Sequence, residues 1–561
     1  MGKMINNGHR VIIMMILCLF GLSIIGSVAK SRRTRAGQKK EDTRVYLRHS
    51  DELQYDMYRM PPNAKFPNAQ IARGKVQFFH KGATLTCDSA YFYEERNAFE
   101  AFGHVHMKQG DTLNLVSEYA WYDGDDEMAY ARRNVVLTHR KSKLYCDSLN
   151  FDRMYGVGYF YDGGKLVDNG NTLTSDWGQY NTEDKMAKFV YRVKLRNKDM
   201  RMDTDTLYYD TKTSLAHAVG PSVMITDSNK VNTNDGYYNT KTKRSELYGR
   251  STVYNGQKTI VADSLYSSET TTVREGYGNV IYEDPVNKNI FKGDYLWYEE
   301  NTGKGLAHTN ALVMDYSQGP DTLYVHGDTI RMETININTD SVYRKVHAYP
   351  HVRAFRNDIQ AVCDSLTMST LDSCMTMYKD PIVWNLGRQV LGEVIHTYAN
   401  DSTLRYADVI GQALSVEMVD STRFNQISAK EMRAYFNDGT PRQTWAIGNV
   451  ETIYYPIDDS DSTIIGLNSL TTDTLKMFLT QERTMEKIWT AGGKGTLYPL
   501  TQIPPEKVLL PNFAWFEHIR PVNKDDIFVW RGKDEEHLLK PEKARDAKKT
   551  KSLGNRDTQI R

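Results

Sequence analysis

The stretch Leu144-Tyr-Cys-Asp-Ser-Leu-Asn-Phe151 decides the fold, because it is one of eight versions of a single phrase. The others are Leu85-Thr-Cys-Asp-Ser-Ala-Tyr-Phe92, Leu115-Val-Ser-Glu-Tyr-Ala-Trp-Tyr122, Leu173-Thr-Ser-Asp-Trp-Gly-Gln-Tyr180, Met202-Asp-Thr-Asp-Thr-Leu-Tyr-Tyr209, Asn232-Thr-Asn-Asp-Gly-Tyr-Tyr-Asn239, Ile260-Val-Ala-Asp-Ser-Leu-Tyr-Ser267 and Phe291-Lys-Gly-Asp-Tyr-Leu-Trp-Tyr298. Looser copies surround Asp328 and Asp364. The acidic positions 88, 118, 147, 176, 205, 235, 263 and 294 are separated by 30, 29, 29, 29, 30, 28 and 31 residues. A fixed period of this size marks a stacked repeat architecture.

A second phrase alternates with the first, as in Ala101-Phe-Gly-His-Val105, Ala131-Arg-Arg-Asn-Val135, Gly276-Tyr-Gly-Asn-Val280 and Ala446-Ile-Gly-Asn-Val450. Each unit of about 29 residues therefore holds two strand-like segments and two turns marked by pairs such as Asp123-Gly124, Gly163-Gly164 and Asn255-Gly256. No segment from 70 to 450 keeps a helical apolar period over three turns.

Apolar or small residues stand three and one positions before the acid, as at Leu85 and Cys87, and two and four after it, as at Leu149 and Phe151. A flat strand keeps one parity throughout. The backbone must therefore bend or bulge at the acid, whose short side chain can accept hydrogen bonds from amides freed by the bend. This explains the recurring Asp as structural, with a repeated catalytic or metal-binding role as the competing account. One such unit cannot bury a two-sided interior, but stacked units share one. Cys87 and Cys146 then sit in the small-residue slot of two different layers, too far apart for a disulfide. Cys363 and Cys374, eleven residues apart, have the spacing to meet across a hairpin.

The rest of the chain frames this repeat. Lys3 and Arg10 precede an apolar run through Ala29, the order of an export signal and also close to the length of a membrane anchor. Residues 30–44 form a basic leader. Lys and Arg total 71 against 70 Asp and Glu, so no global charge draws nucleic acid. The 14 His are dispersed, and neither a nucleophile elbow nor an HExxH motif occurs, which argues against an enzyme. The layers run regularly over 45–365 and less regularly over 366–455. Residues 456–530 read as a C-terminal capping region with a helix at 470–488, and 531–561 as a charged, disordered tail.

Together the export segment and phrases such as Ile260-Val-Ala-Asp-Ser-Leu-Tyr266 and Gly276-Tyr-Gly-Asn-Val280 resemble the OstA-like or LptA-like family of lipopolysaccharide transport proteins. The resemblance covers about residues 45–455. It implies an all-β fold, an elongated stacked β-jellyroll with an open shell-like groove, here with a small mixed C-terminal region. It also implies a periplasmic bridge component that shields acyl chains on the way to the outer membrane, anchored in the inner membrane or associated with the outer one. The length and Tyr-rich style suit a long, Bacteroidota-type member. About 110 residues after 450 are too few for an outer-membrane barrel.

The residues expected to line the groove are Leu85, Phe92, Leu115, Tyr122, Leu144, Phe151, Leu207, Tyr209, Leu265, Leu296 and Tyr298. For each of them ordinary core packing is the competing account. No catalytic, cofactor or metal residue is expected. The expected partners are lipopolysaccharide or a related glycolipid and other Lpt-type jellyroll proteins, joined through edge-strand pairing, with end-to-end self-association as a further option. The rival reading is a structural or adhesive envelope β-solenoid with a filled core.

Overall fold

A computed structural model describes residues 43–533, except 56–63, 269–271, 318–320, 401–402, 438, 459–460, 462 and 483–484. The export segment, nearly all of the basic leader and the tail from 534 lie outside the described residues. The fold is all-β and repetitive, consistent with stacked β-jellyroll layers; the helical pieces described are 3-10 turns of three residues each. The described residues fall in two units, one within Met1–Asp111 and Glu118–Ala129, the other within Thr112–Ser117 and Tyr130–Arg561.

In the first unit, Gln70–His80, Ala83–Tyr93 and Ala98–Gln109 form consecutive antiparallel pairs. The expected change of parity occurs. Ala83, Leu85 and Cys87 are buried before Asp88, and Ala90 and Phe92 after it. Pairing skips at the same point, with Val76 opposite Cys87 but Arg73 opposite Ser89. Each strand is thereby divided into two limbs that meet at a corner. The strands on either side of Asp88 turn that corner on two residues with positive φ, Gly74-Lys75 and Gly103-His104. Inside, Phe78 of one limb stacks on Phe99 of the other, with ring centroids 4.1 Å apart.

The second unit repeats this construction in Met186–Arg196, Met200–Asp210, Leu215–Thr226, Lys230–Asn239, Arg244–Asn255, Lys258–Ser268, Val273–Asp284 and Asn289–Glu299, each paired antiparallel to the next. The register corrects one alignment. Val219 faces Thr206 on one side and Asp235 on the other, so the residue equivalent to Asp205 is Asn234, not Asp235. The spacing 205, 234, 263 then becomes an even 29 residues.

The corner carboxylates take mainly side-chain partners rather than the amides expected. Asp88 bonds His104 at 2.8 Å, Asp176 accepts two bonds from Arg192 at 2.8 and 3.0 Å, and Asp294 accepts from Asn310 at 2.8 Å. Gly278 shows why glycine recurs on the facing strand. Its φ is +73°, and a Cβ there would lie 2.5 Å from Asp263 Oδ2. The hydrogen bond from His104 to Asp88, and then the charge of Asp88, hold the exposed imidazole above its ordinary pKa. Because the folded value is raised, this contribution is fully present below the ordinary histidine pKa and is lost as pH rises through the folded value. Asp88→Asn is expected to return the His104 titration midpoint, followed by NMR, to that of an unperturbed histidine; an unchanged midpoint would contradict this account of the corner.

Two expectations about the later chain are corrected, and the open question of the Cys363 and Cys374 pairing is answered. The strand pattern does not loosen at 366. Instead the two limbs separate into short strands over Val157–Asn181 and again from Lys304 to Asn400, then rejoin as long bent strands in Thr403–Met418, Phe424–Asn437, Thr440–Tyr454 and Gly466–Leu479. No helix spans 470–488. Gly466–Leu479 is a strand paired with Thr440–Tyr454, and Met485–Thr490 pairs back onto it. Leu475 and Met477 are buried two residues apart, a strand period, and the β-branched Thr471, Thr472 and Thr474 favour that state. Cys363 and Cys374 are buried free thiols, not a disulfide.

The segment from Leu500 to Lys533 also does not close the end of the stack. It runs as a strap over the outer face of one limb, held by a row of buried glutamines. Gln426 donates to Val508 O at 3.0 Å and accepts from Leu510 N at 2.8 Å. Gln389 likewise donates to Ala514 O at 2.9 Å and accepts from Phe516 N at 2.8 Å. Arg520 donates to Gln360 Oε1 at 2.8 Å. Gln426 and Gln389 thus each present the strap with one donor and one acceptor, as a neighbouring strand would, while Gln360 offers its carbonyl and donates to Arg356 O and Asn357 O. Beneath the strap, Leu510, Phe516 and Ile519 cluster with Trp384, Leu391, Leu414 and Tyr455. Arg353, fully buried, bonds Asp526 at 3.2 Å, and burial pulls its guanidinium pKa down to about 10, still charged at neutral pH.

Candidate functional site

Register places the inward residues of the second unit in two files. On the first limb, Leu144, Leu166, Leu173, Leu195, Met202, Met224 and Val231 are successive cross-strand partners. The file continues without a gap through Val253, Ile260, Tyr282, Phe291, Val313 and Val325. It then passes Ala354, Ala361, Val383, Val390, Ser415, Ile427 and Thr452 to Leu470. On the second limb, Phe160, Gly178, Phe189, Leu207, Ala218, Gly236, Leu247, Leu265, Gly276 and Leu296 form a matching file. Four of its ten members are Gly or Ala (Gly178, Ala218, Gly236 and Gly276) set among Phe and Leu, which leaves room for side chains from the opposite limb to interdigitate.

Exposure changes abruptly along the first file. From Leu144 to Val231 every member is buried, at 6% exposure or less. From Val253 to Val325 all six are half-buried, although their parity is unchanged. Beyond them Val383, Val390, Ile427 and Leu470 are again half-buried, packed against a shared base that includes Met377, Ile395 and Val409.

The buried part coincides with polar latches between the limbs. Tyr180 Oη lies 3.0 Å from His139 Nδ1. Tyr209 Oη donates to Asp168 Oδ2 at 3.0 Å and accepts from Asn171 Nδ2 at 2.9 Å. Ser142 and Asn197 complete the network, at 2.7 Å to Asp168 and 3.0 Å to Asn171. Burial, together with the neighbouring Asp168, pushes the Tyr209 hydroxyl pKa up to about 12, so it remains a neutral donor. Burial lowers the His139 pKa, followed by the charges of Arg140 and Lys185, which keeps the ring uncharged near neutral pH. The first unit has the same device, with His80 Nδ1 2.7 Å from Tyr122 Oη.

Of the residues expected to line a groove, Leu85, Phe92 and Tyr122 are buried in the first unit, and Leu115, Leu144, Phe151, Leu207, Tyr209 and Leu265 in the second. Leu296 and Tyr298 are half-buried. Tyr209 serves as a latch between the limbs. Sequence reasoning passed over Ile260 and Phe291, which occupy the same phrase position as Leu85 and Leu144, and it passed over the latch partners His139, Asp168 and Asn171 entirely. The former had a visible signal in their phase. The latter stand 38 to 41 residues before their tyrosines, more than one period away, and nothing local marks them.

Residues 42–205 match the family model described as OstA-like protein. The chain thus carries an OstA-like domain, of the lipopolysaccharide-transport-related OstA/LptA-like family that its phrases resemble. The same bent-strand construction continues in the structure beyond the matched residues, to Leu479. No curated protein matches the chain. Among the described residues, no helix is long and apolar enough to cross a membrane.

Proposed function

We propose that this chain is a periplasmic component that binds lipopolysaccharide or a related glycolipid and shields its acyl chains on the way to the outer membrane. The observation that carries this reading is the file, apolar without a break from Leu144 to Val390, that turns from buried to half-exposed at Val253 while keeping its inward parity. Each methylene withdrawn from water is stabilised by about 0.8 kcal/mol. A file of near-equivalent aliphatic positions offers similar affinity at successive layers, so a chain can move along it without being trapped. A purely structural solenoid accounts for the packed layers before Val231 but gives no reason for ten half-exposed apolar residues facing inward after them. Leu296 and Tyr298, from the expected lining, belong with this open part.

At the far end, Met485–Thr490 and Gly493–Pro499 pair only with Gly466–Leu479 among the described residues, and Ile488, Trp489 and Leu497 are about half exposed. A terminal layer of this kind supports edge-strand pairing with another Lpt-type jellyroll protein or a second copy of this chain. A benzophenone side chain placed at Val313 or Val383 is expected to form an adduct with labelled lipopolysaccharide in the cell envelope. Adducts with proteins alone, at every open position tried, would reject the transport reading in favour of the structural one.

A further inference from the structure

Successive layers present the same inward position four residues after each corner: Phe151, Tyr180, Tyr209, Tyr238, Ser267 and Tyr298. Tyr180 and Tyr209 use it to reach the opposite limb, at His139 and at Asp168 with Asn171. At Ser267 the ring is replaced by a hydroxymethyl group, too short to span the interior. Its cross-strand partners are Ser245 and Arg274, so neither directly paired strand supplies a ring there, and Arg274 is turned to Glu300 at 3.1 Å. The half-exposed part of the first file begins at these same layers, with Val253 and Ile260. Just before them the limbs close to a gap of only about 10 Å³, lined by Met202, Met224 and Val231 on one side and Ala218, Tyr238 and Leu247 on the other.

We propose that the tyrosine-bearing layers up to Tyr238 seal the interior, and that acyl chains enter sideways between the limbs where Ser267 interrupts the series, to lie on Ile260, Phe291, Leu296 and Val313. The inference rests on the acyl-shielding reading above and adds where the chain is admitted. Opening the sealed part requires burying Asp168 and Asn171 without their Tyr209 partner, and a buried polar group left unsatisfied is costly. Opening at Ser267 breaks no such bond.

The test uses the full-length chain with photo-leucine in place of leucine, a near-isosteric change that leaves packing intact, illuminated with purified labelled lipopolysaccharide. Adducts mapped by mass spectrometry are expected on peptides carrying Leu296 and Leu323, the latter half-buried two residues before Val325 in the same strand, at least tenfold above those carrying Leu166, Leu173 and Leu195. Tyr209→Phe, which keeps the ring and removes the latch, is expected to raise labelling at Leu195, and Ser267→Tyr to lower it at Leu296. Equal labelling of both sets in the unsubstituted protein overturns the sealing proposal while leaving acyl shielding intact. No glycolipid adduct on any leucine overturns both.

Discussion

Cutting Phe151 back to alanine is expected to lower local stability by about 3–5 kcal/mol, the cost of emptying a packed aromatic site. The ring is 1% exposed and lies opposite Gly158, where a Cβ would meet Leu137, Phe151 and Leu149 at 3.3 to 3.5 Å. There is no slack around it for collapse to recover the loss. Val383→Ala, in the open part of the file, is expected to cost only about 1 kcal/mol, since its methyl groups already face water in part. A repeat array does not unfold in one step, so the comparison belongs to native-state hydrogen exchange of the layers concerned rather than to a single melting temperature. Similar losses at the two positions would show that the interior is uniformly packed and would remove the distinction on which the functional reading depends.

Freeing the strap is the second large effect. Gln389→Ala leaves Ala514 O and Phe516 N without their partner in a buried setting, at about 1–3 kcal/mol for each group. Adding Gln426→Ala repeats the loss one register further along, beside Val508 and Leu510. The double variant is expected to expose residues 500–533 to protease cleavage at least tenfold faster, with Trp384 and Phe516 becoming accessible, while the limbs keep their strand content by circular dichroism. Gln389→Glu is no rescue, because a carboxylate supplies no donor to Ala514 O and brings a charge into a buried site. A strap that resists cleavage in the double variant would mean that the apolar cluster around Trp384 holds it without the amide ladder.

How much of this was legible beforehand follows from the distance over which each feature is decided. The bend at the acid could be read from Leu85, Cys87, Ala90 and Phe92, because the parity change lies within one strand. Asn234 was misaligned for a related reason. An adjacent aspartate imitated the corner residue, and only the partners of Val219 resolve which of the two turns. The segment 470–488 was misread because Leu475, Phe478 and Leu479 fall at helical spacing by chance, whereas pairing with Thr440–Tyr454 selects the strand. Tertiary pairing outweighs helix propensity here, as it does in general for short segments.

The amino-acid order alone determined that this protein is all-β, built of bent layers about 29 residues apart with an apolar inner side, since those properties arise from neighbours within a strand or its adjoining turn. Which layers are sealed and which stand open was decided only in three dimensions. That outcome depends on whether a tyrosine meets a histidine, aspartate or asparagine across the interior, and on glutamines that meet a strap 84 to 160 residues away along the chain. Contacts of that kind follow from the stacking of complete layers and leave no periodic trace in any one of them.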